Sequence, residues 1–187
     1  MSNPVDLLRN AVADAAPNYA KATVEDLDRD TPCGGWDLRA LLNHTYSIFA
    51  LSTRAARLEP TEDFAVVEGD HVGNDPAGAY SRLTSEMLAA WDACEDLDTP
   101  RVTPMGSLPP GDILLAGAQD VFIHAWDVAK TIGTEPELSP NMIAVFTETH
   151  QQSIDEAARA MFFDQPITVP DDASPLDKLV AFLGREP

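Results

Sequence analysis

Basic residues are scarce in this chain: 12 Lys and Arg stand against 31 Asp and Glu, a formal charge of −19 over 187 residues. That deficit argues against a nucleic-acid partner, because binding to a phosphate backbone is driven largely by Lys and Arg displacing counterions. It argues equally against an anionic membrane surface. Long apolar runs are missing too, and none approaches the ~20 residues needed to span a bilayer. The segment MSNPVDLLRN has neither a basic n-region nor an apolar h-region, so no secretory signal is expected. Only two cysteines, Cys33 and Cys94, are present, too few for a disulfide framework and too far apart for a CxxC site. The phosphate-loop and GxGxxG fingerprints, the GxSxG elbow and the HExxH zinc motif are all absent. There is no internal repeat and no low-complexity tract. These absences lead to the expectation of a soluble, reduced, cytoplasmic protein with neither a nucleic-acid nor a membrane partner.

What is present is ordinary globular material, 44% apolar and 23% charged, and its length predicts one domain over residues 1–187. The periodic segments read mostly as helices. Val5, Leu8 and Val12 fall at helical spacing over about 4–16, ending near Pro17. The segment TPCGGW breaks the pattern. A second helix is expected over about 38–58, with Asp37 as N-cap and Trp36 stapled onto Leu41. A third spans about 76–97, capped by Asp75 and opened by Pro76, with Tyr80, Leu83, Met87, Trp91 and Cys94 inward. The stretch PRVTPMGSLPPGD holds too many prolines for a central strand and reads as turn or short extended structure. The fourth helix, about 112–132, is apolar on nearly every face and belongs at the centre, with Gly133 as its stop. A fifth is expected over about 140–163 with Met142, Val145, Phe146, Ile154 and Met161 inward, and a short capped one over 175–183 after an extended stretch. Four long helices with a short extra one predict an all-α helix bundle.

Several polar groups fall where this pattern predicts core. His44 shares a stripe with Leu41 and Ile48. Asp120 and His124 are four apart, on one face of the fourth helix, with apolar Val121, Phe122 and Ile123 between them. A carboxylate there is costly to bury unless it is paired or bound to a cation. His44, Asp120 and His124 can therefore converge from two helices as an N/N/O set suited to Zn, Ni or Fe. The same spacing also suits a hydrogen-bonded core pair with no metal. Asp127, three residues beyond His124, is placed to hydrogen-bond a ligand imidazole, or equally to cap a loop. Trp126 and Cys94 are expected to pack in the core, and His71 and His150 to be solvated. Cys33, before two glycines and a helix start, is read as a small residue fixing its turn, with a reactive thiol as the alternative.

The segments TPCGGWDLRALLNH, DVFIHAWDVAKTIG and PITVPDDASPLDKLVAFLGREP, in that order, resemble the DinB-type metal-binding proteins. More narrowly the chain resembles the mycothiol-dependent maleylpyruvate isomerase-like branch in its single-domain form, over nearly its whole length. The resemblance implies a DinB-like four-helix bundle with short extra helical or extended segments at the C-terminus, and a homodimer. It also implies a divalent metal, Zn before Ni or Fe, held by His44, Asp120 and His124, with mycothiol as cosubstrate. In the isomerase the carboxylate is Glu; here it is Asp120, one methylene shorter. The implied chemistry is thiol activation, with the sulfur attacking a small electrophile in S-transfer or isomerisation. The rival expectation is a non-catalytic, metal- or small-ligand-binding dimeric bundle whose site has drifted.

Overall fold

The computed structural model describes residues 3–187 and divides into two compact units, one running to Glu137 and the other Leu138–Pro187. The first unit is a bundle of four helices: α1 (Pro4–Tyr19), α2 (Leu38–Ala56), α3 (Pro76–Asp92) and α4 (Pro110–Ile132). In it α1 packs on α3 and α4, and α2 packs on the same two. The expectation of an all-α bundle is met.

Local chemistry explains most helix ends. Asn3 and Asp37 accept from the amides of Val5 and Ala40 at 3.1 and 2.8 Å, and Asp75 accepts from Gly78 at 2.9 Å. These side chains satisfy amides that the first turn leaves without partners. Gly133 ends α4 at φ +75°, a left-handed conformation that suits glycine. Helix α1 does not stop at Pro17 as predicted but continues to Tyr19. Tertiary contacts outweigh the missing proline donor there. The buried Asn18 side chain exchanges two 2.9 Å bonds with the Glu137 backbone, and the Tyr19 hydroxyl donates to the Val121 carbonyl at 3.3 Å.

Helix α4 carries the densest set of buried side chains, among them Leu114, Ala118, Val121, Phe122 and Trp126. Tyr19, Tyr46 and Tyr80, from three different helices, meet in the core, with Tyr19 and Tyr80 stacked at 4.4 Å. The hydroxyls of Tyr46 and Tyr80 donate to the Pro76 and Val12 carbonyls at 2.7 Å, as buried hydroxyls must find partners. Tyr80, Leu83, Met87 and Trp91 are buried as predicted. Cys94 is not in the core, because α3 ends at Asp92. Its half-buried thiol instead donates to the Asp96 carbonyl at 3.2 Å. Between α3 and α4 a two-stranded antiparallel hairpin pairs β1 (Arg101–Thr103) with β2 (Gly106–Leu108). Arg101 ties it down from a buried position by donating from Nε to the Ala55 carbonyl at 3.0 Å.

The second unit holds α5 (Pro140–Ser153), α6 (Glu156–Phe162) and α7 (Pro175–Phe182). The single helix expected over 140–163 is broken at Ile154, because Asp155 caps a new helix by accepting from the Ala158 amide at 2.8 Å. Of the stripe expected inward, Met142 and Phe146 are buried, while Val145 and Met161 are exposed, Met161 by 67%. His150 is only 3% exposed, against the expectation that it is solvated. Its Nδ1 donates to the Phe146 carbonyl at 2.7 Å, which satisfies the ring inside the unit. Among the described residues, no helix is long and apolar enough to cross a membrane.

Candidate metal centre

The centre is assembled from α2, α4 and the loop leading into α2. That loop is closed by a bridge between Asp30 and Asp37 and by a turn in which the Trp36 amide donates to the Cys33 carbonyl at 3.1 Å. Gly35 stands at φ +85° in the third position of the turn, where a left-handed residue is required. The turn brings Cys33 and Trp36 to the same end of the bundle as His44. Trp36, expected against Leu41, is 36% exposed, and its ring lies 4.9 Å from that of His44.

His44, Asp120 and His124 come together, with one ligand atom from each lying within 4.8 Å of the others. His44 Nε2 donates to Asp120 Oδ1 at 2.9 Å, and His124 Nε2 lies 3.5 Å from the same oxygen. The aspartate, though shorter than the glutamate of the isomerase, reaches both rings. The Asp120 side chain is 16% exposed, and burial alone would raise its pKa. The neighbouring His124 and His44 imidazoles, with the His44 hydrogen bond, outweigh burial and hold the carboxyl below the usual carboxylate range. For His44 burial favours the neutral ring, but the Asp120 charge and hydrogen bond prevail and raise its pKa.

Behind His124 stands Asp127, 0% exposed, whose Oδ2 accepts from Nδ1 at 2.8 Å. This bond places the ring's proton on Nδ1 and turns the Nε2 lone pair toward Asp120. With the ring neutral, two acceptors face each other at 3.5 Å, so a proton on Nε2 or a cation must stand between them. Asp120 Oδ2 is buried without a well-formed hydrogen bond, the Thr45 hydroxyl being the other polar group that helps lower the carboxyl. An N/N/O donor set, a buried carboxylate oxygen without a well-formed hydrogen bond and an imidazole oriented by a second carboxylate together fit a divalent transition metal.

For Cys33, expected to fix its turn with a reactive thiol as the alternative, the structure adds a second contact. Its carbonyl does fix the turn. Its half-buried thiol also donates to Asp127 Oδ2 at 3.5 Å and lies 3.9 Å from His124 Nδ1. Cys33, His124 and Asp127 form a second group able to hold a cation. Nothing in the spacing between residue 33 and residues 124–127 could have signalled this proximity, which the loop turn creates. His71, expected to be solvated, is half-buried in its loop, donating from Nε2 to the Val67 carbonyl at 2.7 Å. Trp126 is buried as expected.

The profile of the family described as "Mycothiol maleylpyruvate isomerase N-terminal domain" matches residues 8–129, which include all of these groups. Two relatives, both described as uncharacterized proteins and from two strains of Mycobacterium tuberculosis, are each 26% identical over 169 residues. The match covers 89% of this chain and 88% of each relative. No solved structure matches.

Proposed function

Since the chain belongs to the family of the mycothiol maleylpyruvate isomerase N-terminal domain, we propose that its four-helix unit is a divalent-metal centre activating a small thiol toward an electrophile. His44 and His124 would hold the ion through Nε2 and Asp120 through its carboxylate, an N/N/O set suited to Zn, Ni or Fe, of which Zn is taken first from the family resemblance. Such an ion, with a coordination position open, supplies Lewis acidity to a thiol whose pKa is about 8.5 in water. Asp127 keeps the His124 proton on Nδ1 and so keeps Nε2 available. Trp36 walls the solvent side next to His44. The family points to mycothiol as the thiol. With a chain charge of −19, local hydrogen bonds rather than the overall field would recognise it. The reading includes a cytoplasmic, single-domain protein acting as a homodimer.

One observation carries this proposal: His124 Nε2 lies 3.5 Å from Asp120 Oδ1 while Asp127 holds the other ring nitrogen at 2.8 Å. The test is metal content by plasma mass spectrometry on protein purified without a histidine tag. About one equivalent is expected in the parent and none in His44→Ala or His124→Ala. Loaded protein should then consume a thiol and an electrophile together, and His44→Ala should not. The 2.9 Å His44–Asp120 contact favours a second reading, a closed polar pair in a non-catalytic ligand-binding bundle. Absence of metal after reconstitution would overturn the metal reading in favour of that one.

A further inference from the structure

An apolar pocket of about 120 Å³ is lined by α2, α4, the β1–β2 hairpin and the segment after α2, one helical turn from the metal centre. Its walls are Ile48, Leu51 and Ala55 from α2 and Ile113, Ala116 and Gly117 from α4. Their numbering shows how the pocket relates to the centre. His44 meets Asp120; four residues further along α2, Ile48 lines the pocket with Ala116, four residues back along α4. Leu51 and Ile113 follow at the next turn. The two helices run antiparallel with one continuous seam, polar at the His44–Asp120 end and apolar below it. At 1.5 Å per residue, the first apolar pair lies roughly 6 Å along the axis from the polar pair.

Three hydroxyls also line the pocket, and each is engaged within the protein. Ser52 Oγ accepts from the Trp91 indole at 2.9 Å, Thr61 donates to the Val102 carbonyl, and Thr103 donates to the Gly106 carbonyl at 2.8 Å. No charged side chain is among the lining residues. Phe64 and Met105, also in the lining, remain about half exposed, at 46% and 50%. A wall with its polar atoms already satisfied offers a guest only apolar contact. That chemistry excludes a polyhydroxylated thiol and accepts hydrocarbon. The size sets the class as well, because an apolar cavity of about 150 Å³ holds benzene.

We propose that this pocket binds the hydrocarbon body of the substrate, a ring or chain of about four to six carbons. Resting on the thiol-transfer reading, this makes the electrophile an apolar molecule whose reactive carbon is presented at the His44–Asp120 end of the seam. The thiol then approaches from the Trp36 side, and Ala116 and Ile48 set specificity by size.

The test uses the full chain and fluorobenzene, followed by fluorine NMR. Saturable binding is expected, weakened about tenfold or more by Ala116→Phe and less by Ala116→Leu. Ala116 is exposed, so both variants should keep the parent's thermal midpoint. His44→Ala should bind the probe like the parent, which separates this proposal from the metal reading. In protein loaded with Mn²⁺, the bound fluorine signal should broaden, and His124→Ala should abolish the broadening. Lack of saturable binding, or binding undiminished by Ala116→Phe, overturns the proposal. Retained Mn²⁺ without broadening overturns the link between pocket and centre. If no metal is retained, the thiol-transfer reading fails, while probe binding lost in Ala116→Phe still upholds the pocket.

Discussion

Replacing Asp127 by Asn tests whether the carboxylate behind His124 prepares the centre. The side chain has the same shape and stays buried, so packing is little changed. What changes is the group that Nδ1, and with it the Cys33 thiol, donates to. Asp127 can only accept there, at 2.8 Å and out of water. Asn presents either a weaker acceptor or an NH₂ donor, and the latter would push the ring proton onto Nε2, where the metal must bind. A hydrogen bond of this charge-assisted, buried kind is worth about 1.5–3 kcal/mol. Loss of a carboxylate behind a ligand histidine typically costs roughly 10–100-fold in metal affinity, which is about 1.4–2.7 kcal/mol. The two figures agree, and both exceed the ~1 kcal/mol of an exposed pair. Zn²⁺ affinity would be measured by competition with a chromophoric chelator, beside the thermal midpoint of metal-free protein. A Zn²⁺ affinity within about threefold of the parent, with the fold intact, would refute the argument that Asp127 orients His124 for a metal.

Other consequences follow from named contacts. Trp36 is the most exposed of the three tryptophans and lies 4.9 Å from the His44 ring. Metal addition should therefore change tryptophan emission in the parent, and Trp36→Phe should remove that response while leaving metal content unchanged. Asn18→Ala removes both bonds to the Glu137 backbone and should lower stability in urea by about 1–3 kcal/mol. His150 has its pKa lowered by burial, with the Arg185 charge adding to the effect against the Phe146 carbonyl. Its contribution to stability is complete above the unfolded value of about 6.5. It is lost as pH falls below that value, because the unfolded ring takes up a proton that the folded ring resists. Unfolding free energy should fall more steeply between about pH 7.5 and 5 in the parent than in His150→Gln, and parallel curves would contradict this.

The bundle was legible because its signals are local. Caps at Asp37 and Asp75, proline at the first position of α3 and Gly133 after α4 each follow from backbone chemistry within one turn. Errors arose where a distant contact outweighed a local rule. Pro17 argued for a helix end, but Asn18 and Tyr19 are fastened by groups more than a hundred residues away. Asp155 falls inside the single helix expected over 140–163, but its side chain caps a new helix in which Met161 is exposed. His150 lies among polar neighbours in TETHQQ, yet its own helix supplies the carbonyl that lets the ring be buried.

The centre was legible to the extent that helical periodicity could be extrapolated. Asp120 and His124 share a face by spacing alone, and His44 lies on a core stripe, so their meeting required only that α2 and α4 be neighbours. The loop could not be read this way, because a turn made by Gly35 carries the Cys33 thiol to Asp127 without leaving any periodic trace. The antiparallel seam then ties site to pocket. Once His44 meets Asp120, the helical repeat brings Ile48 and Ala116, then Leu51 and Ile113, to the same seam, and all four line the pocket. A substitution that shifted the register by one turn would separate His44 from Asp120 and close the pocket in the same step. If both belong to one reaction, metal affinity and fluorobenzene affinity should therefore fall together in variants that disturb α2–α4 packing. They should fall separately in variants of the ligands or of Ala116.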